Sequence, residues 1–197
     1  MSNMMQPCII KESARGYTPF RLEDELFNQK KIFLTDEIDT ESAISVIKQL
    51  MLLDKSDDPS PIKLFISSPG GSIDAGMAII DAMESMEREV DTYCVGLSAS
   101  MASAIFSCGR KRYIYPSAKL MIHDPLIHGT GGNALQLKAI SDSLLEYREI
   151  IGKLLAKNTG KTLEEIYELT KQDTYFNAAE CVRNHFADEI VGKEHTT

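Results

Sequence analysis

Hydrophobic and polar positions along this chain follow two rhythms that take turns. Short apolar runs of strand length come first: Lys31–Leu34, Ile62–Ser67, Thr92–Leu97, Tyr113–Tyr115 and Leu120–His123. Between them lie segments whose apolar positions step by three and four, as one face of a helix does. Thr40–Leu53 carries such a stripe through Ala43, Val46, Ile47, Leu50 and Leu53, with Thr40 as its expected N-cap. Ala75–Met86 repeats the pattern with Met77, Ile80 and Met83, and a further helix opens at Ser100. Asp54–Pro61 is a polar loop and Pro116-Ser117 a turn. Strand and helix thus alternate from residue 31 to residue 123, which predicts an α/β fold with a largely parallel sheet.

The ends of the chain read differently. Met1–Pro19 has no sustained period and reads as a flexible arm, followed by a short helix over Leu22–Asn28. After the glycine-rich stretch His128–Gly132, one long helix is expected from Ala134 to Asn158, with a stripe at Leu137, Ile140, Leu144, Tyr147, Ile151 and Leu154. It would span roughly 35–40 Å, more than covering a small sheet requires, so it suits either a sheet cover or an oligomer contact. Thr162-Leu163-Glu164-Glu165 has capping-box spacing and opens a helix to Thr170; Ala178–Asn184 is a last short helix.

Composition narrows the function classes. The 197 residues carry a formal charge of −8, which argues against a nucleic-acid partner. The basic cluster Arg110-Lys111-Arg112 reads as a solvated turn. The four cysteines show neither CxxC nor metal-ligand spacing, which suits a reducing compartment, with Cys94 and Cys108 as core thiols. No apolar run reaches membrane-span length and no signal or transit pattern opens the chain, so no membrane partner and a cytoplasmic location are expected. Gly160-Lys161-Thr162 imitates the end of a phosphate-binding loop. Leu155 stands where the first glycine is required, however, and a helix rather than a strand precedes it, so no nucleotide site is expected.

Ligands of parallel sheets bind beyond the carboxyl ends of the strands. Three stretches fall there. Gly96–Cys108 puts Ser100 between a strand and a helix, among the small residues Ser98, Ala99, Ala102, Ser103 and Ala104, without the flanking glycines of a GxSxG elbow. Ser67–Ser72 ends a strand in Gly70-Gly71, which serves as a tight turn or as a close backbone approach to a ligand. Met121–Pro125 ends a strand at His123, the best placed of the four histidines to act as a base; His128, His185 and His195 lie in polar or terminal segments. Asp124 adjoins His123, but neighbours on extended backbone point to opposite faces.

These motifs, SPGGS followed by AGMAI, then ASM, MIH and the stretch Asp173–Ala178, occur in one order from about Ile9 to Val191. In that order they resemble the proteolytic subunit family of the Clp protease, a self-compartmentalising serine peptidase. The resemblance implies repeated β-β-α units of the crotonase and Clp type with a protruding handle helix at about 133–158. It implies an axial-loop arm over residues 1–19 and one α/β peptidase domain over 20–197. It assigns Ser100 as nucleophile, His123 as base and Asp173 as the carboxylate that orients it, with the backbone N–H groups of Gly71 and Met101 as the oxyanion hole. Substrates would be unfolded polypeptides fed by an AAA+ unfoldase that uses the ATP, so the chain itself needs no cofactor or metal. Self-association into stacked heptameric rings, with or without a paralogous subunit, is implied too.

The chain departs from the family pattern at several positions. Ala102 replaces a glycine, Gln172 an arginine and Lys171 an acidic residue, which removes the usual ring-to-ring ion pair. Lys63 and Ser85 fall where apolar residues line the unfoldase-docking pocket, although Phe65, Tyr93, Val95, Tyr113 and Tyr115 remain. His185 stands at a glycine position, where Asn184 is expected to take over the left-handed cap. The departures keep open a second reading, a weak or conditionally active ring subunit. A crotonase-type acyl-CoA enzyme, which needs neither Ser100 nor His123 in these roles, is a third.

Overall fold

The computed structural model describes residues 8–13, 16–127, 129 and 131–192; His128, His195 and the first part of the arm lie outside the described residues. The described residues begin with a hairpin in the stretch expected to be a flexible arm: β1 (Cys8–Ser13) pairs antiparallel with β2 (Gly16–Arg21). Helix α1 (Leu22–Asn28) leads into β3 (Lys31–Ile38), α2 (Thr40–Asp54), β4 (Ile62–Gly71), α3 (Ile73–Ser85), β5 (Val90–Ala99) and α4 (Met101–Ser107). Then follow β6 (Arg112–Ile114), β7 (Lys119–Ile122), α5 (Ala134–Thr159), α6 (Leu163–Thr170), β8 (Thr174–Asn177), α7 (Ala178–Arg183) and β9 (Glu189–Ile190).

The main sheet runs β3-β4-β5-β6-β9, all parallel, while β7 lies parallel along the later part of β5 and carries β8 antiparallel on its other edge. The fold is α/β with a mostly parallel sheet, as the alternating pattern predicts. Strands β3, β4 and β5 run past their apolar stretches, because the ladder continues through Ser67-Ser68 and Ser98-Ala99 where side-chain hydropathy no longer signals it. β4 buries one face only. Ile62, Leu64 and Ile66 are fully buried, whereas Lys63 and Phe65 on the other face are only half-buried. On that face Phe33, Phe65, Tyr93 and Tyr113 occupy one register across four strands, their rings stacked at 4.6–5.1 Å.

Capping residues set the helix limits. Asp39, not Thr40, caps α2, because its carboxylate accepts from Ser42 N at 2.8 Å while Ser42 Oγ accepts from Asp39 N. Thr162 and Glu165 close the predicted box on α6, and Asn133 with Gln136 builds another at the start of α5. Gly160, the false phosphate-loop glycine, is the left-handed C-cap of α5. At the end of α7 the left-handed residue is His185 (φ 61°), not Asn184 (φ −96°). The reversal into β9 falls one residue after the helix cap, and Arg112 Nη1 holds the His185 carbonyl at 2.9 Å. Along α5 only Gly152, Leu155 and Thr159 are buried; the first three turns are mostly exposed, and Leu135, Leu137, Leu145 and Ile150 show their side chains to solvent.

Candidate active site

Parallel strands place their carboxyl ends on one edge of the sheet, and three of them end together here. β4 ends in Gly70-Gly71, β5 delivers Ser100, and β7 delivers His123. The fourth contribution arrives through the antiparallel pair. Ile122 faces Thr174 in the β7–β8 register, so the next residues outward, His123 and Asp173, come side by side. A segment fifty residues downstream in sequence is thereby brought to the histidine.

Distances follow this arrangement. Ser100 Oγ lies 2.8 Å from His123 Nε2. Asp173 Oδ1 lies 3.4 Å from His123 Nδ1. The imidazole is mostly shielded, whereas the Asp173 carboxylate is 60% exposed. A ring protonated on Nδ1 toward Asp173 presents its Nε2 lone pair to the serine hydroxyl, the arrangement needed to take a proton as that oxygen attacks. The adjacent Asp124 turns away, as the extended backbone requires: its carboxylate accepts from Arg148 Nε at 2.8 Å and from the Thr170 hydroxyl.

Ser100 holds an uncommon backbone conformation, φ 54° and ψ −124°, before α4 begins. A non-glycine residue there costs about 1–3 kcal/mol and needs surroundings that enforce it. Ser100 N donates to Met121 O at 2.9 Å, and its carbonyl accepts from Ser103 N and from Ser103 Oγ. No glycine flanks Ser100; the missing bulk is supplied from the neighbouring strand. A Cβ on Gly70 would come within 2.7 Å of Ala99 O and 2.8 Å of Ser100 Cβ. Gly70-Gly71 is therefore what lets the strained serine turn pack against β4.

The same turn orders two backbone donors. Ser72 N donates to Ile38 O at 2.7 Å, so the ladder to β3 passes through Ser72 and leaves the Gly71 N–H on the opposite side of the strand. A Cβ on Gly70 would also lie 3.1 Å from Met101 N, which sets that first helical N–H beside the turn. Gly71, Met101, Ser100 and His123 all border one cleft of about 490 Å³, whose other walls include Pro125, Leu126 and Ile151. Glu37 is the acidic residue on its rim, and nothing in the polarity pattern singled it out.

Other candidate chemistry is quieter. None of the cysteines is in a disulfide, and burial pushes the thiols of Cys94 and Cys181 up to about 12 and that of Cys108 up to about 11, which leaves them protonated and unreactive at neutral pH. Among the described residues no group of His, Cys, Asp and Glu could hold a metal ion, and no helix is long and apolar enough to cross a membrane. Ala102 is fully buried and accommodated in α4. Lys171 pairs within its own segment, with Glu168 at 2.6 Å.

Comparison with known proteins shows the family. A family profile for Clp protease matches residues 14–194. The ATP-dependent Clp protease proteolytic subunits of Streptococcus pyogenes serotype M5 (strain Manfredo) and of Streptococcus equi subsp. equi (strain 4047) are each 37% identical over 191 residues, covering 95% of this chain and 97% of the relative. A match of that extent, over a chain whose serine turn, glycine turn and histidine share one strand edge, places this protein in the Clp protease family.

Proposed function

We propose that this chain is the proteolytic subunit of a Clp-type protease and works as a serine endopeptidase. Ser100 attacks the peptide carbonyl, His123 takes its proton and returns it to the leaving amine, and Asp173 holds the imidazole and stabilises its charged form. The N–H groups of Gly71 and Met101 receive the oxyanion, and water then resolves the acyl-enzyme by the same relay. The observation that carries this reading is the 2.8 Å approach of Ser100 Oγ to His123 Nε2 at a strained strand-to-helix turn. Substrate would lie extended, adding a strand beside residues 71–73 and the segment after Pro125, held by backbone hydrogen bonds with low sequence preference.

The remaining assignments belong to the same proposal. The exposed apolar positions of α5 serve stacking of rings, heptameric in the family, alone or with a paralogous subunit. The aromatic ladder from Phe33 to Tyr113 serves docking of an AAA+ unfoldase, which spends the ATP. Lys63 beside the ladder alters that docking surface. The setting is cytoplasmic.

A fluorophosphonate probe and a fluorogenic peptide test the reading together. The probe should label Ser100, and Ser100→Ala and His123→Ala should each abolish both labelling and hydrolysis without changing the far-ultraviolet spectrum. Hydrolysis should also fall in acid, because a protonated imidazole cannot accept the serine proton. Undiminished hydrolysis by either variant, or a flat profile down to about pH 5, would refute the assignment.

A further inference from the structure

The contact between His123 and Asp173 is the long one of the two, and the β7–β8 ladder stops just short of it at Ile122 and Thr174. Had the antiparallel register continued, Asp124 would face Gln172. Instead Asp124 N donates to Thr170 O at 2.8 Å, and the Asp124 carboxylate accepts from the Thr170 hydroxyl. The two strands therefore part at the site and are tied again two residues beyond it. His123 and Asp173 sit between two fixed rungs, the ladder on one side and the Asp124–Thr170 tie on the other.

A third element locks that tie. Arg148 of α5 donates from Nε to the second carboxylate oxygen of Asp124 at 2.8 Å, and its guanidinium lies 3.7 Å over the ring of Tyr167 in α6. The next residue back, Tyr147, donates to Asp74 of α3 at 2.6 Å, so this part of α5 is anchored against the body of the fold. Long helix, histidine loop and aspartate loop meet at one ion pair, whose members are only 27% and 34% exposed.

We propose that Asp124, Arg148 and Thr170 form a positioning clamp that sets the separation of His123 from Asp173. None of the three touches the reacting atoms; they act through the histidine and the aspartate. Arg148 fixes the Asp124 carboxylate, and Asp124 in turn holds the histidine loop to Thr170 through its carboxylate and its backbone N–H. This inference rests on Ser100, His123 and Asp173 working as a triad.

A kinetic cycle with Asp173 tests it. For the assembled protein, kcat and KM on a fluorogenic peptide and the rate of Ser100 acylation by a fluorophosphonate are measured in Arg148→Ala, Thr170→Val and Thr170→Ser, each with Asp173 intact and as Asp173→Asn. Arg148→Ala and Thr170→Val should lower kcat by about 10–100-fold, the scale of a roughly 1 Å misplacement, with KM nearly unchanged. Thr170→Ser, which keeps the hydroxyl, should retain most activity. In the Asp173→Asn background neither substitution should cost anything further, because the contact they protect is already gone. Native mass shows whether Arg148→Ala still assembles; where it does not, Thr170→Val decides. Equal losses in both backgrounds, or no loss, would overturn the clamp. Failure of Ser100→Ala to abolish acylation would instead remove the triad reading beneath it.

Discussion

At the scale of single residues, the site depends on atoms that are missing as much as on those present. Gly71 has φ 150°, and a Cβ there would lie 2.2 Å from Ile38 O. The backbone itself is the obstacle, so no side-chain rotation relieves it. Gly71→Ala should therefore force β4 away from β3 and move the proposed oxyanion donor. We expect a loss of peptide hydrolysis of about 10²–10³-fold, the usual effect of losing such a donor, together with a lower melting temperature. Calorimetry and kcat measured side by side check both parts; an alanine variant with normal turnover would show that the turn has no catalytic duty. Ser100 makes the complementary point. Its positive φ is tolerated because Gly70, distant in sequence, leaves room for it.

At the scale of elements, the end of the chain is held by one arginine. Arg112 at the start of β6 donates from Nε and Nη2 to the Asp188 carboxylate, from its own N to the same group, and from Nη1 to the carbonyls of Asn158 and His185. It joins β6, the last turn of α5 and the entry to β9. Burial pushes the Asp188 carboxyl up, but the Arg112 side-chain and backbone hydrogen bonds outweigh it and hold the group below its ordinary 3.8. A carboxyl depressed in the folded state stabilises at pH values above its unfolded value, and that contribution is lost as pH falls through the folded one. Asp188→Asn should thus cost roughly 1–2 kcal/mol at neutral pH, discounted because the carboxylate is 39% exposed, and should weaken the fall in stability below about pH 4. Thermal melts of both proteins from neutral to acid pH test this; parallel curves would contradict it.

At the scale of the whole molecule, α5 carries more apolar surface than the fold covers. Leu135, Leu137 and Leu145 are 79%, 45% and 60% exposed, on a helix whose last turns alone are buried. Such surface marks an interaction site. The full chain should run in sedimentation as an assembly many times its 21.9 kDa mass, and Leu137→Asp with Leu145→Asp should shift it to smaller species while leaving the monomer fold intact. Identical sedimentation of the two would show that α5 is not the contact. If α5 pairs rings as proposed, this apolar face would hold them rather than Lys171, which is already paired with Glu168.

Much of the fold was readable from hydropathy alone. The alternation of short apolar runs with three-to-four-residue periods indicates which segments are strands and which are helices, because apolar positions must be buried, and parallel strands then put Gly71, Ser100 and His123 on one edge. The candidate triad was named through resemblance to a family; no periodicity points to Asp173, which reaches His123 only through the antiparallel pairing of β7 with β8. The N-terminal hairpin, the strand extensions through Ser68 and Ser98, and the left-handed His185 were equally silent, since backbone pairing and dihedrals formed by distant partners leave little trace in side-chain polarity. Local sequence determined the elements and the types of chemistry available. Tertiary contact alone decided which glycine makes room for the serine, which carboxylate meets the imidazole, and that Arg148 ties the long helix to both, because each of these is a distance between residues that the chain order keeps far apart.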